Sequence, residues 1–442
     1  MRRESVAFRV RRNTELGLVL LAAVLTSGAY ALASLGRSAS LPANIVPFLV
    51  VILGLLAVAH VATRRLAPGA DSILLPLGGL LNGIGYVFIA RLDPDLAALQ
   101  AVWTALGVGA FVGALVLIKR VRDLERYRYT FALVGIGLLL MPLLPVIGRN
   151  INGSRLWVRF GTVTFQPGEF AKIVLCIFFA SYLVEKRELL SEALHRVGAV
   201  FVPDLKHFGP VVLAWSVSLV IMIAERDLGS SLLFFALFIA MLWVATGRGA
   251  YLAIGGTLFG AGAWIAWSTF AHVKQRITIW LDPWETASGS GYQIVQALFA
   301  FAAGGLAGTN LAQGSPQRIP AVSTDFIFAA LGEELGLFGS TAVVIALLLM
   351  VGTGIRIALR ADPPFEKLLA TGLTTILAVQ SFVILGGVTR LVPLTGITLP
   401  FVSYGGSSLL ANYVLLALLL RISDDQAARE HAEAVAVQET VG

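Results

Sequence analysis

A succession of long apolar runs constrains this chain more than any other feature of its sequence. Several of these runs reach about 20 residues, the length at which a helix crosses a hydrocarbon core of about 30 Å. Only 13% of the residues are charged, against roughly 25% in a soluble domain. The sequence therefore predicts an all-α polytopic membrane protein with about twelve transmembrane helices. The predicted spans are residues 15–36, 43–63, 73–90, 99–118, 130–147, 169–184, 209–224, 228–246, 250–270, 335–357, 367–388 and 401–420.

The distribution of basic residues predicts which ends of the spans face the cytoplasm. With the N-terminus inside, the cytoplasmic segments together with the adjoining span ends, which contain Arg356 and Lys367, carry 22 Lys and Arg residues, and the outer segments carry 10. Cytoplasmic loops are enriched in these residues, so both termini are expected in the cytoplasm. This orientation places residues 148–168 and 271–334 outside, the latter as a long loop between the ninth and tenth spans.

The basic clusters also bear on partners and on domain organisation. They are short and lie between apolar runs, so their placement is a signal of membrane topology. The net charge of +7 therefore does not indicate nucleic acid binding. Residues 1–70 are predicted to form an N-terminal extension with two spans, residues 71–421 the main membrane domain, and residues 422–442 a short cytoplasmic tail. The single cysteine, Cys176, excludes an intrachain disulfide and indicates no thiol metal site.

The segment from Trp280 to Gly339 is the least membrane-like part of the sequence, because it is polar, aromatic and rich in glycine. A long ordered segment of this kind is usually functional. Its glycine run, from Gly304 to Gly314, is not a P-loop, because no Gly-Lys-Ser/Thr follows. The candidates for chemistry in the segment are its acidic residues Asp282, Asp325, Glu333 and Glu334.

Asp325 is the leading acidic candidate, since it opens an apolar run at the outer membrane surface. One interpretation is a helix N-cap, which Asp forms readily. The other is a general base that acts on a sugar hydroxyl. Glu333 lies about 80° around the helix from Asp325, whereas Glu334 lies on the opposite face. If Asp325 faces a cavity, we therefore expect Glu333 to share it.

Two charged residues, Glu169 and Lys172, lie where the first outer segment enters a span. Their spacing puts them on one helix face, where they can pair. Charged groups at membrane depth usually face each other or a polar cavity, so a structural ion pair and a functional cavity lining are both open. Further along, Asp227 is predicted to cap the next helix through Ser230, and the alternative is that it helps to build a polar outer vestibule.

Arginine and aromatic residues of the outer segments are candidates for binding an anionic, sugar-bearing lipid. Trp157 is by default a membrane anchor. Beside Arg155 and Arg159 it is instead a candidate contact to such a lipid, because the arginine fork suits phosphate oxygens. The longer segment contributes further candidates of this kind: Arg276, Tyr292 and Gln293.

The entry to the last span, from Leu391 to Leu410, is interrupted by two prolines and two glycines. Irregular backbone at membrane depth is tolerated only where it is buried in protein or lines a cavity. Ser403 is a ligand-binding candidate in this break, and a structural role for it is the favoured alternative.

Five motifs, taken in their order along the chain, resemble those of one protein family. They are QPGEFAK at 166–172, ERDLGSS at 225–231, DPWETASGSGYQ at 282–293, TDFIFAALGEELG at 324–336 and GITLPFVSYGGSS at 396–408. In these motifs the chain is similar to the SEDS family of shape, elongation, division and sporulation proteins, typified by RodA, FtsW and SpoVE. The resemblance extends over residues 73–421, with Arg226 where proline is more usual.

The resemblance implies a peptidoglycan glycosyltransferase of the bacterial cytoplasmic membrane, with its active site on the outer face. Such an enzyme polymerises lipid II, releases undecaprenyl pyrophosphate, and works with a class B penicillin-binding protein that cross-links the glycan. The motif positions imply that Asp325 is catalytic and that Trp157 lies near the site. They also imply that Glu169 and Lys172 line the central cavity. The two extra N-terminal spans favour a twelve-span, actinobacterial RodA-type elongation protein over a division protein.

Two other functions are open from the sequence. A lipid II flippase or other transporter would use the same cavity and the same intramembrane charges, but would not need an outer carboxylate. A non-catalytic scaffold of the cell-wall machinery would tolerate the replacement of Asp325. No motif requires a cofactor, and a divalent cation such as magnesium or manganese is left open as an aid to the leaving pyrophosphate.

Overall fold

Long helices make up most of the chain in the computed structural model, which describes residues 6–38, 45–151, 154–161, 163–192, 194–197, 200–203, 216, 225 and 227–441. The α-helices of that part are α1 (Val6–Ser38), α2 (Ile45–Leu66), α3 (Leu74–Leu92), α4 (Pro94–Leu117), α5 (Arg128–Leu140), α6 (Pro167–Glu192), α7 (Leu228–Thr246), α8 (Ala250–Thr269), α9 (Ala271–Leu281), α10 (Tyr292–Gly304), α11 (Ile327–Arg360), α12 (Pro364–Val388) and α13 (Gly406–Val441).

Ten of the described helices are long and apolar enough to cross a membrane, so the prediction of an all-α polytopic membrane protein is confirmed. These ten coincide with ten of the predicted spans. At the span predicted for residues 130–147, α5 has only 13 residues and is about 20 Å long at 1.5 Å per residue. The span predicted for residues 209–224 lies almost wholly outside the described residues.

The two predicted outer segments carry regular structure. The first contains three antiparallel strands in the order β1 (Gly148–Ile151), β2 (Ser154–Phe160) and β3 (Val163–Phe165). The second contains α9, α10 and the start of α11. A separate hairpin after α6 pairs β4 (Leu194–Val197) with β5 (Val200–Pro203). The predicted polar tail continues α13 as a helix.

The chain folds into two compact units, each built from distant stretches of sequence. The first comprises residues 1–123, 297–362 and 398–442, and the second comprises residues 124–296 and 363–397. The first unit therefore contains α1 to α4, α11 and α13. The second contains α5 to α9, α12 and the strands.

Tyr413 of α13 is buried within the first unit. Its ring packs edge to face against Phe111 at 6.5 Å and against Phe401 at 5.5 Å between ring centroids, a geometry that aromatic pairs prefer. Asn82 donates a hydrogen bond to its hydroxyl at 3.1 Å. A Cβ at Gly107 would lie 2.6 Å from the Tyr413 ring, so the absence of a side chain at Gly107 allows α4 to approach α13 this closely.

Buried charges fasten α1 and α2 within the first unit. Glu15 of α1 is fully buried and pairs with Arg12 and with His60 of α2, whose Nδ1 lies 2.6 Å from the carboxylate. The Arg12 guanidinium also donates a hydrogen bond to the carbonyl of Ala70. Because a buried charge is stable only when it is paired, this network ties α1 and α2 to the segment that precedes α3.

Helix α6 packs against α5, α7 and α12 in the second unit. Phe179 of α6 contacts Phe238 of α7 at 5.6 Å between ring centroids. A Cβ at Gly372 of α12 would lie 2.3 Å from the Sγ of Cys176. The close contact of α12 with α6 therefore depends on glycine at this position.

Candidate active site

Asp325 lies half-buried in the turn that leads into α11. The carbonyl of Ala321 closes this turn by accepting hydrogen bonds from the backbone N–H of Thr324 at 3.1 Å and of Phe326 at 3.4 Å. Phe326 occupies the N-cap position, and its side chain makes no capping hydrogen bond. The capping interpretation requires Asp325 at the N-cap, whereas the structure has Phe326 at that position.

Ser403 fixes the Asp325 turn to the segment that precedes α13. Its buried hydroxyl donates a hydrogen bond to the carbonyl of Thr324 at 2.6 Å and accepts one from the backbone N–H of Leu399 at 2.9 Å. The N–H of Tyr404 donates to the carbonyl of Ser323 at 2.8 Å. This geometry gives Ser403 a positioning role, and its direct contact with substrate stays a prediction.

Both segments that meet at Ser403 contain a strained residue. Ala321 has φ 51° and Phe401 has φ 64°, which is the left-handed region that residues with a Cβ rarely adopt. Each such residue costs about 1–3 kcal/mol and persists only where its surroundings impose it, as they often do at functional sites. Packing therefore holds in place both the turn that contains Ala321 and the segment that contains Phe401.

Glu333 and Glu334, near the start of α11, hold the glycine-rich segment that follows α10. Glu333 Oε1 accepts a hydrogen bond from the backbone N–H of Ser315 at 2.7 Å. Glu334 Oε2 accepts one from the backbone N–H of Ala312 at 2.9 Å. Both glutamates are buried, so their evident task is to order this segment. A substrate contact for Glu333 stays a prediction.

Arg91 is a residue of this site that the sequence reasoning missed. Its Nε lies 2.6 Å from Glu334 Oε1, and its Nη2 donates a hydrogen bond to the carbonyl of Gly314 at 2.9 Å. Arg91 thus joins α3, α11 and the glycine-rich segment. An arginine in the last turn of a helix is ordinary, so no sequence signal would have singled it out.

Three glycines allow the backbone to approach α11 closely. Gly336 has φ 65° and interrupts the helix. A Cβ at Gly308 would lie 2.2 Å from the carbonyl oxygen of Glu334, and one at Gly304 would lie 2.0 Å from that of Gly332. The glycine-rich run therefore serves packing, consistent with its lack of the P-loop sequence.

The ion pair predicted between Glu169 and Lys172 is confirmed. Lys172 Nζ lies 2.8 Å from Glu169 Oε2, and both side chains are buried. Lys172 also donates a hydrogen bond to the side-chain carbonyl of Gln380 at 3.2 Å, so the pair links α6 to α12. The cap predicted for Asp227 is confirmed as well, since its carboxylate accepts a hydrogen bond from the Ser230 N–H at 3.0 Å.

Strand β2 places Arg155, Trp157 and Arg159 on one face, because alternate side chains of a strand point the same way. Arg149 of β1 is the direct cross-strand partner of Trp157, so it shares that face. All three arginines are exposed, whereas Val158 on the opposite face is buried. The sheet therefore places three arginines on the same face as Trp157, and Arg149 is a second residue that the sequence reasoning missed.

Helix α9 is tied to the loop after α12 by arginine–carbonyl hydrogen bonds. Arg276 Nη1 donates to the carbonyl of Leu394 at 2.8 Å. Arg390 Nε donates to the carbonyl of Trp280 at 2.8 Å, and the Trp280 indole donates to the Arg390 carbonyl at 3.1 Å. Arg276 is thus oriented by the protein, and its predicted substrate contact is untested by this geometry.

The motif after α9 forms consecutive turns that end at α10. Asp282 accepts hydrogen bonds from the backbone N–H of Trp284 at 3.0 Å and of Glu285 at 3.4 Å. Tyr292 and Gln293 are the first residues of α10, and the Tyr292 side chain is exposed. Their sugar-binding role stays a prediction.

The predicted site residues are divided between the two units. The first unit contains Asp325, Glu333 and Ser403, and the hydrogen bonds of Ser403 act directly on the Asp325 turn. The second unit contains the remaining candidates: Arg155, Trp157, Arg159, Glu169, Lys172, Arg276, Tyr292 and Gln293. Across the described residues there is no group of three or more His, Cys, Asp or Glu side chains arranged to hold a metal ion.

Comparison with known proteins relates these features to one family. The profile of the FtsW, RodA and SpoVE family, described as cell cycle protein, matches residues 92–428. Peptidoglycan glycosyltransferase RodA of Mycobacterium bovis is 45% identical over 424 residues, which cover 93% of this chain and 90% of the relative. A probable peptidoglycan glycosyltransferase FtsW of Geobacter metallireducens is 33% identical over 341 residues, which cover 77% of this chain and 85% of the relative.

A solved structure agrees with the sequence comparisons. One chain of a peptidoglycan synthase complex that coordinates polymerization and crosslinking superimposes with a TM-score of 0.67 at 26% identity, covering 81% of this chain and 98% of that chain. The family profile spans well over half of the sequence, and the five motifs lie within its limits. The chain is therefore a member of the FtsW, RodA and SpoVE family of cell cycle proteins, which is the SEDS family.

Proposed function

We propose that this chain is a peptidoglycan glycosyltransferase of the elongation type, which polymerises lipid II into glycan strands. The 45% identity to a RodA, against 33% to an FtsW, supports an elongation role over a division role. The observation that carries the chemical part of the proposal is the Asp325 turn, which contains the strained residue Ala321 and is held by the hydrogen bond from Ser403 to Thr324.

Asp325 is the general base in this proposal. The oxygen of the acceptor sugar's 4-hydroxyl forms a bond to the anomeric carbon of the donor strand, and its proton passes to the Asp325 carboxylate. The bond from that carbon to the pyrophosphate breaks, and undecaprenyl pyrophosphate leaves with the electron pair. A hydroxyl is a poor nucleophile until its proton is removed, and a positioned base contributes about 10²–10⁴-fold to such a step.

Cationic residues assist the departure of the pyrophosphate. The candidates are the arginines on the exposed face of β1 and β2, together with Arg276, because guanidinium groups bind phosphate oxygens in pairs of charge-assisted hydrogen bonds. Charge that develops on a leaving group is stabilised best by donors already held in place. The hydrogen bond from Arg276 to Leu394 supplies such positioning for one of them. A divalent metal ion is the alternative source of positive charge.

The protein works in the cytoplasmic membrane with both termini inside and the chemistry on the outer face. The excess of basic residues in the predicted inner segments supports this orientation. The proposed partner is a class B penicillin-binding protein with a single membrane span. The match to a chain of a complex that joins polymerization to crosslinking supports that partnership.

Polymerisation by the purified protein tests the proposal. The full chain, with and without its transpeptidase partner, is supplied with lipid II, and the glycan products are measured. The Asp325→Asn variant is expected to lose at least 100-fold in rate, because the amide cannot accept the proton. Asp95→Asn is the matched control, since Asp95 is an exposed aspartate of the same unit, and it should keep the normal rate.

The same variants separate the competing functions. Asn caps a helix about as well as Asp, so a capping role predicts nearly normal synthesis by Asp325→Asn. Normal synthesis by a correctly folded Asp325→Asn protein would remove the catalytic assignment and leave Glu333 as the next candidate. If the unmodified chain instead moved lipid II across the liposome membrane without forming polymer, it would be a flippase.

A further inference from the structure

A cavity lies at the end of the first unit where the basic start of α1 meets the end of α11. Its volume is about 170 Å³, which is enough to hold several water molecules. The charged and polar side chains that matter for what it binds are Arg11, Asp71, Ser72, Arg356, Arg360, Gln426 and Glu430. Four separate segments contribute them, so the cavity exists only in the folded unit.

The charges of this cavity are arranged to leave arginine donors available. Arg356 is neutralised by an ion pair with Asp71. Arg11 uses Nη1 in a hydrogen bond to the carbonyl of Gly69 at 2.8 Å, which occupies one of the five N–H donors of a guanidinium. Arg360 is exposed and makes no hydrogen bond or ion pair with any residue in the described part of the chain.

Neutral polar groups and a fixed wall complete the cavity. Ser72 and Ser423 contribute hydroxyl groups to the lining, and a hydroxyl can donate to a phosphate oxygen. The amide of Gln426 donates a hydrogen bond to the carbonyl of Ile357 at 2.9 Å, so it holds α13 against α11. The lining therefore combines three arginines and neutral donors with two carboxylates, Asp71 and Glu430. It keeps an excess of one positive charge, which suits a phosphate group better than a hydrophobic ligand.

An apolar surface on α11 leads to the same arginines. Leu348, Leu349, Ile355 and Leu359 are exposed large side chains on the part of α11 that precedes Arg360. A lipid whose head group occupied the cavity would have its acyl chains beside these residues. In the proposed orientation the cavity faces the cytoplasmic leaflet, where anionic lipids attract basic pockets at the ends of transmembrane helices.

We propose that this cavity binds a phosphate-bearing anion through Arg11 and Arg360. The bound group is either the head group of an anionic phospholipid or a soluble phosphate. The site is separate from the residues of the proposed glycosyl transfer, because none of its lining residues belongs to the Asp325 turn, to the glycine-rich segment or to the sheet.

Native mass spectrometry on the delipidated full chain tests the site for lipid. Phosphatidylglycerol is titrated against phosphatidylcholine, and binding is compared between the unmodified protein, Arg360→Gln and Arg65→Gln. Arg65 is the matched control, because it is an exposed arginine at the end of α2 that does not line the cavity. A second arm measures the melting temperature with inorganic phosphate against chloride at equal ionic strength.

The lipid form of the proposal predicts that phosphatidylglycerol binds more tightly than phosphatidylcholine. It also predicts that Arg360→Gln weakens this binding about tenfold, since one charge-assisted contact is lost, while Arg65→Gln has little effect. The soluble form predicts that phosphate stabilises the unmodified protein and the Arg65→Gln variant but not Arg360→Gln. If Arg360→Gln and Arg65→Gln behave alike in both arms, the site does not exist.

Discussion

At the scale of single residues, the pair formed by Glu169 and Lys172 is the clearest case of a contact set by local spacing. Two residues three positions apart on a helix can meet whatever the rest of the chain does. Tertiary structure then adds Gln380 as a second partner of Lys172. The contribution of this pair to stability depends on its burial, because water no longer solvates either charge.

Replacing Lys172 by methionine should therefore destabilise the protein strongly. The change leaves the Glu169 carboxylate buried without its cation, which typically costs about 3–5 kcal/mol. Unfolding of the detergent-solubilised protein measures this loss. The control is Lys186→Met, because Lys186 pairs with Glu185 at 2.9 Å on a partly exposed surface, where such a pair contributes about 0–1 kcal/mol.

Exchanging the two charges, by Glu169→Lys together with Lys172→Glu, should recover part of the stability that either single change removes. Equal unfolding temperatures for Lys172→Met and Lys186→Met would contradict the importance of the buried pair.

At the scale of elements, the glycine-rich segment after α10 shows how side chains from other helices order a stretch with little regular structure. The backbone N–H groups of Ser315 and Ala312 in this segment donate hydrogen bonds to the carboxylates of Glu333 and Glu334. Arg91 holds the Glu334 carboxylate from the other side. The order of this segment therefore depends on α3 and α11 as much as on its own sequence.

Replacing Arg91 by methionine should loosen this segment. Glu334 would lose its cation, and the carbonyl of Gly314 would lose its donor. Hydrogen–deuterium exchange of residues 305–318 is expected to rise by at least tenfold, while exchange in α12 stays unchanged. Arg318→Met is a suitable control, because Arg318 is an exposed arginine of the same segment. Unchanged protection of residues 305–318 in Arg91→Met would show that the glycine contacts with α11 suffice by themselves.

At the scale of the whole molecule, the proposed orientation of the chain in the membrane rests on the distribution of basic residues. The first unit supports the expectation that both termini face the same side, since Arg11 near the start of α1 and Gln426 in α13 line one cavity. An odd number of membrane crossings between these two residues would have placed them on opposite sides of the membrane.

Cysteine labelling of intact spheroplasts tests the proposed orientation. Cysteines introduced at Ser154 in β2 and at Ser288 before α10 should react with a membrane-impermeant maleimide. One introduced at Glu430 in α13 should react only after the membrane is opened, because inner positions are shielded. Cys176 is buried and should give little background. Protection of position 154 or 288 in intact spheroplasts would overturn the orientation.

Several features of the fold and the site were predictable because their causes are local. Hydropathy over about 20 residues marks a spanning helix, and ten of the described helices match predicted spans. The Asp227 cap also needed only neighbouring residues. For residues 148–165 the sequence predicts a loop, whereas the structure has three short strands. The strands were not predictable because the pairing of β1 with β2 depends on the partner strand as well as on β-propensity.

The amino-acid sequence by itself determined the membrane class, the helical character and the family, since these follow from hydropathy and from motifs within single segments. Only the tertiary structure decided that Ser403 holds the Asp325 turn, that Arg91 meets Glu334, and that Arg149 joins the arginines of β2. Helical and strand periodicity fix the face on which a side chain lies. They do not fix which distant segment that face will meet, because packing of the whole chain selects the partner.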